Sequence, residues 1–298
     1  MHRLPDYHTH TARCGHATGR PSEYVDAAHK AGLLAIGVAD HLPLLPSHEP
    51  GLTMQACELD DYVEEVRTLK EQHPDYVLLG IEADYRRETL QDVSALLSER
   101  SFDYVIGSVH FIDGWGFDDP RHTREYEQRD IHDIWIDYLE LVGEAAECGL
   151  FTILGHLDLI KKFGYRPTRS LERELDRLVD RVARSGVLVE INTAGLHRPA
   201  EEAYPSLSLL RSLHEAEVSI TFGSDAHRPE EVGRDFAHAA ALARAAGYET
   251  FAALEPMSPS SVPPATDATD SSTGGVTAGL EVREMPLPHV PPLQEDRS

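Results

Sequence analysis

Cysteine is nearly missing from this 298-residue chain. Cys14, Cys57 and Cys148 are three, an odd number at wide spacing, which excludes a disulfide framework as the source of stability. Long apolar runs are missing too. No stretch of about 18 apolar residues occurs. No basic segment leads into an apolar one, so neither a membrane span nor a secretory signal is expected. Bases are scarce, with 27 Lys and Arg against 51 Asp and Glu and a net charge of −24. The excess is spread along the chain, with −19 on residues 1–254 and −5 on residues 255–298. A body this acidic repels polyphosphate, which argues against long nucleic acid as a partner unless metal ions invert the local field. The expectation is a cytoplasmic protein with no membrane or nucleic-acid partner, long enough for one large domain.

What the chain does have is a regular alternation. Leu4–Tyr7, Leu34–Val38, Tyr76–Ile81, Tyr104–Val109, Phe151–Leu154, Val187–Ile191 and Val218–Phe222 read as short buried strands. Amphipathic helical patterns lie between them, over Ser22–Ala31, Asp60–Glu71, Leu90–Glu99, Ile131–Cys148, Leu171–Ser185, Ser206–Glu217 and Glu230–Ala246. Pro21-Ser22 can open a helix, and Gly32, Gly149, Gly186 and Gly247 stand where helices should end. Seven strand–helix repeats in this length predict an α/β barrel rather than an open sheet. The predicted domain spans residues 1–254. From Glu255 onward, 8 prolines, many Ser and Thr and no sustained apolar period predict a disordered tail that is dispensable for chemistry.

Histidines and carboxylates follow the strands. His8-Thr9-His10, Asp40-His41, Glu82, His110, His156 and Asp225-Ala226-His227 each come just after an apolar run, and His16 adds one more. In an α/β barrel the site is built at the C-terminal strand ends, where these residues fall. His8 and His10 flank one residue, so on an extended chain both point to one side and can grip one ion. Asp225 and His227 repeat that spacing. Glu82 ends a buried run, where a carboxylate is costly unless paired or metal-bound, and its two oxygens can bridge two ions. Alone, His110 or His156 reads more readily as a satisfied core histidine than as a ligand, and Asp40-His41 reads equally well as a turn or an N-cap. Together they predict a multinuclear site of the kind that takes Zn, Mn or Fe.

The composite resembles the PHP (polymerase and histidinol phosphatase) superfamily. The resemblance rests on His8-Thr9-His10-Thr11, Cys14-Gly15-His16-Ala17, Gly37-Val38-Ala39-Asp40-His41, Gly80-Ile81-Glu82, Gly107-Ser108-Val109-His110 and Gly223-Ser224-Asp225-Ala226-His227. It covers residues 4–250. Three longer strings, Gly107 to Asp118, Gly155 to Phe163 and Glu190 to Leu196, are similar to the stand-alone histidinol-phosphate phosphatases of histidine biosynthesis.

The resemblance implies a distorted (β/α)7 TIM-like barrel holding three divalent ions. His8, His10, Glu82 and Asp225 would hold the first, and Glu82, His110 and His156 the second. His16, His41 and His227 would hold the third. Asp40 would be either a direct ligand or a partner orienting a histidine, and Cys14 a soft ligand less suited than His16. The implied reaction is hydrolysis of a small phosphate monoester, L-histidinol phosphate, by an ion-activated water attacking phosphorus in line. Arg198 is the expected phosphate contact because a guanidinium matches phosphate bidentately. His197 stands where relatives often place a base, so it competes for that role and for protonating the leaving group. Lys161 or Lys162 would supply a second cation. No Asp-x-Asp-x-Thr segment occurs, so aspartyl-phosphate chemistry is unsupported. Two other readings are a related phosphoesterase acting on nucleotides or short oligonucleotides, and a non-catalytic metal-binding protein.

Overall fold

The structure, a computed structural model, describes residues 3–44, 51–256 and 280–293. Six parallel strands run side by side in sequence order: β1 (Ile36–Val38), β2 (Val77–Asp84), β3 (Tyr104–Ser108), β6 (Ile153–Leu154), β7 (Leu188–Asn192) and β8 (Ile220–Gly223). A seventh segment closes them. On one side, Gly37 and Ala39 donate their backbone N–H to the carbonyls of Asp6 and Thr9; on the other, Tyr7 and His10 donate to Phe222 and Ala226. Pro5 keeps this segment from being a regular strand, yet it occupies the position predicted for the first one. The chain is therefore a seven-membered, TIM-like α/β barrel of distorted regularity.

Helices α1 (Pro21–Ala31), α2 (Leu59–Gln72), α3 (Leu90–Ser98), α4 (Ile131–Glu147), α5 (Glu172–Ser185), α6 (Leu207–Glu215) and α7 (Phe236–Ala246) connect the strands. They lie within a residue or two of the predicted spans, except that α7 starts at Phe236 because Pro229–Glu231 forms its own short turn. Gly32, Gly186 and Gly247 close α1, α5 and α7. Covered by helices outside and by itself inside, the sheet is buried on both faces, as parallel sheets are. At the N-terminal end of the barrel, Tyr104 crosses the interior and donates to the Tyr7 carbonyl at 2.5 Å. Gly37 and Gly80 make room for that ring, since a Cβ at either would fall within 2.3 Å of it.

Two features were not foreseen. Phe111–Ile112 (β4) and Trp115–Gly116 (β5) form a hairpin whose turn, Asp113-Gly114, takes the positive φ at both positions that a tight hairpin demands. The second corrects the tail. Thr250–Pro256 (β9) plugs the N-terminal mouth of the barrel with Ala252 and Leu254, and Leu280–Pro286 (β10) pairs with it along seven residues. Leu287 is buried, and Arg244 donates to the carbonyls of Leu287 and Pro288. The predicted boundary after residue 254 thus cuts through β9, and residues 280–293 are ordered by backbone pairing rather than by an apolar period. The expected disorder of 257–279 and 294–298 lies outside the described residues. No helix among the described residues is long and apolar enough to cross a membrane.

Candidate metal centre

At the C-terminal end of the barrel the strand-end residues converge. Thr9 turns its hydroxyl outward to the Gly37 carbonyl, so His8 and His10 both face inward. His8 Nε2 lies 3.3 Å from Glu82 Oε1, and His10 Nε2 lies 3.5 Å from Glu82 Oε2 and 3.2 Å from Asp225 Oδ1. The first oxygen of Glu82 also meets His156 Nε2 at 3.1 Å and His110 Nε2 at 3.8 Å. Glu82, two residues before the end of β2, thus stands between two groups of histidines. His16 and His227 meet Nε2 to Nε2 at 2.9 Å. His41 departs from the predicted grouping in part: its Nδ1 approaches Glu82 Oε2 at 2.8 Å, and it clusters with His10 and His227.

These residues fit divalent ions. His8 Nε2, both ring nitrogens of His10 and Glu82 Oε2 are buried and make no well-aligned hydrogen bond, only close contacts within the cluster. Buried polar atoms left unpaired cost several kcal/mol in total, a cost that a shared cation removes (about 1–3 kcal/mol each). Overlapping triplets of ligand atoms lie within 4.8 Å of one another: His8, His10 and Glu82; Glu82, His110 and His156; His10, His41 and His227.

Behind these residues stands a layer of which sequence reasoning offered only Asp40. His8 Nδ1 is 2.8 Å from Glu190 Oε1, and His110 Nδ1 is 2.9 Å from Asp84 Oδ1. His227 and His16 turn Nδ1 to the carbonyls of Asp225 and Cys14. Each ring is thereby fixed with Nε2 aimed inward. Glu190 was legible in principle, being a lone carboxylate inside the apolar run of β7. Asp40 belongs to this layer: it accepts from Thr11 and from the His41 backbone, and lies 3.7 Å from His10 Nδ1. Asp6, buried, accepts from Ser224, Gly233 and His8, and burial lifts its carboxyl to about 6. Cys14 Sγ donates to the Thr11 carbonyl, and burial pushes its thiol up to about 12.

The electrostatics follow from crowding. Burial opposes charge on His10, but Asp225, Asp40 and Glu82 outweigh it and lift the ring to about 9. Burial likewise opposes charge on His110, which Asp84 and Asp118 lift to about 10. Glu82 and Asp225, despite burial, are held well below the usual carboxylate range by the surrounding histidines. His16 falls to about 4 through burial and the neighbouring rings of His41 and His10.

A cavity of about 600 Å³ opens over this floor, and Lys162, Arg198, Asp118 and Tyr204 line its walls. Lys162 Nζ is 3.1 Å from Asp118 Oδ2, and Arg198 is solvent-exposed on the rim. Two predicted substrate contacts need correction. Lys161 is completely buried, and Asp158, Glu202 and the Ala203 carbonyl take up its three N–H groups, so it cannot reach a ligand. His197 does not line the cavity; its Nε2 lies 2.6 Å from Asp235 Oδ2.

Comparison with known proteins agrees with this architecture. A PHP domain model matches residues 6–194. A protein named "Probable histidinol-phosphatase" from Deinococcus radiodurans is 41% identical over 255 residues, covering 84% of this chain and 96% of its own. The histidinol-phosphatase of Bacillus subtilis is 25% identical over 268 residues, covering 80% and 98%. The crystal structure of histidinol phosphate phosphatase from Lactococcus lactis, complexed with zinc, L-histidinol and phosphate, superposes with a TM-score of 0.70 at 24% identity, covering 85% of this chain and 97% of that one. With strand-end histidines and carboxylates, barrel and family match in agreement, the chain belongs to the PHP domain family.

Proposed function

We propose that this chain hydrolyses L-histidinol phosphate to L-histidinol and phosphate, with three divalent ions of Zn, Mn or Fe held by its strand-end residues. The observation that carries the reading is a cluster of buried, unpartnered His and Glu atoms flooring a cavity whose walls offer Arg198 and Lys162. The substrate class is supported by near full-length similarity to proteins named histidinol-phosphatase. His8, His10, Glu82 and Asp225 would hold the first ion, Glu82, His110 and His156 the second, and His16, His227 and His41 the third. Bound ions of this kind lower the pKa of a water and neutralise phosphoryl oxygens.

The chain's own groups do the rest. Glu190 and Asp84 hold the rings of His8 and His110 in orientation, and Asp40 lies 3.7 Å from His10 Nδ1. Arg198 and Lys162 draw the phosphate dianion into an otherwise acidic wall, and Asp118, held at about 2 although burial opposes it because Lys162 and His110 lie beside it, steadies Lys162. Water attack forms one P–O bond as the ester P–O bond breaks, and the leaving oxygen takes a proton. The test is phosphate release from histidinol phosphate, nucleoside monophosphates and dinucleotides in parallel, with elemental analysis of the purified protein. Preference for histidinol phosphate supports the reading. Equal or greater turnover of nucleotides overturns the substrate, and absence of turnover with full metal overturns the catalysis.

A further inference from the structure

Lys161 is the most deeply buried Lys or Arg of the described residues, and nothing in the reaction uses it. Its ammonium lies 2.8 Å from Asp158 Oδ2, 2.8 Å from the Ala203 carbonyl and 3.0 Å from Glu202 Oε2. Asp158 Oδ2 also accepts the Ser206 backbone N–H at 2.9 Å. Two of the ammonium's three partners, Glu202 and Ala203, belong to one stretch of chain. After β7 the backbone leaves the sheet at Asn192 and returns at Tyr204, where the two residues exchange both backbone hydrogen bonds at 2.7 and 2.9 Å. Between them lies an excursion with Arg198 exposed near its outer turn and Tyr204 edge-on to His156. Ala200 adds a bond to the Lys162 carbonyl, so the turn bearing both lysines grips the excursion at several points.

An ammonium buried at this depth carries a large desolvation cost, and apolar replacements of buried ion pairs are often neutral or stabilising. Stability alone is therefore a weak reason for the arrangement. Asp158 Oδ1 even lacks a partner. What the cluster does supply is register. It fixes the height of the 193–203 excursion above the floor of the cavity, while Lys162, one residue on, faces the cavity itself.

We propose that Lys161 is a positioning residue, which holds the excursion so that Arg198 meets a phosphate on the metal floor. The inference rests on the reading of Arg198 as a phosphate contact given above.

The experiment is a double-mutant cycle on the metal-loaded full chain, reading inorganic phosphate binding by calorimetry, with metal content measured on every sample. Arg198→Ala should weaken phosphate by about tenfold or more. Lys161→Met should weaken it about tenfold with metal content unchanged. The double variant should bind no more than about twofold worse than Arg198→Ala alone, because Lys161 acts through Arg198. Multiplying losses, or parental binding by Lys161→Met, overturns the positioning role. Parental binding by Arg198→Ala overturns the contact itself and the inference with it, a pattern distinguishable from the additive one. Should Lys161→Met fail to fold, Glu202→Gln removes a single contact. A loss of about threefold that vanishes in the Arg198→Ala background supports the role, and no loss overturns it.

Discussion

Glu82 is the side chain on which both halves of the cluster depend, because its two oxygens face His8 and His156 on one side and His10 and His41 on the other. Glu82→Gln keeps the shape and removes the charge that two cations would share. Metal content should fall and turnover drop by more than about 100-fold, beyond the 10- to 100-fold that loss of an outer partner costs. Full metal content with near-parental rate would remove Glu82 from its bridging role. At the rim, Arg198→Ala should cost about 10- to 100-fold in kcat/KM with metal content unchanged, the range of a hydrogen bond to a charged group. His197→Ala should be close to silent, since that ring is engaged with Asp235. The reverse pattern would give the phosphate contact to His197. A pH dependence follows from His10 and His110, lifted from 6.5 to about 9 and about 10. In metal-stripped protein their protonated, paired forms contribute stability in full below about 6.5 and lose it as pH rises through 9 to 10. Metal-stripped protein should therefore lose melting temperature over that window. Loading divalent ions at pH 7.5 should displace these protons, visible as acid release in weakly buffered solution. Loading without proton release would show that the rings are already neutral.

At the scale of elements, strand after strand brings a His, Asp or Glu to the C-terminal end of the barrel, and this convergence was the legible part. A short apolar run followed by His, Asp or Glu carries two signals at once, burial and the need for a partner. What remained hidden depends on contacts between elements. Glu190 reaches His8 only because β7 and β8 lie side by side and β8 presents a glycine there. The burial of Lys161 depends on an excursion whose path no local pattern encodes. The Asp113-Gly114 hairpin was readable from its turn residues, but its strands are two residues each and make no periodic signal. Glycines separate the two ends of the barrel experimentally. A Cβ at Gly223 would fall 1.7 Å from Glu190 Oε1 and 2.6 Å from His8 Cβ, displacing the carboxylate that orients His8. Gly223→Ala should lower metal affinity by about 10- to 100-fold. Gly80→Ala collides with Tyr104 at the other end, so it should cost about 1–3 kcal/mol in denaturant unfolding and leave metal content alone. Equal effects of both on metal would mean that the two ends are coupled.

For the whole molecule, the two ends of the barrel carry different tasks, chemistry at one and closure at the other. Acidic charge of −24 surrounds a site that must accept a phosphate dianion, so cations at the floor and rim decide whether substrate enters at all. Closure falls to β9 and to the late strand β10, a segment that composition assigned to a disordered tail. Composition misled because β10 is exposed on most of its surface; its order comes from seven backbone pairings and one buried anchor, Leu287, with Arg244 holding the carbonyls of Leu287 and Pro288. A chain ending at Glu255 loses all of these while keeping every ligand and both rim cations. Burial of one leucine is worth about 1.5–3 kcal/mol. With the lost hydrogen bonds, the deficit should lower the melting temperature by roughly 5–10 °C in a protein of this size. Turnover at 25 °C should hold within about twofold of the full chain, because β9 and β10 sit at the barrel mouth opposite the metal floor. Melting unchanged by the truncation would show that β10 adds nothing to closure. A fall in turnover at 25 °C with full metal content would show that the closed mouth also sets the geometry of the floor.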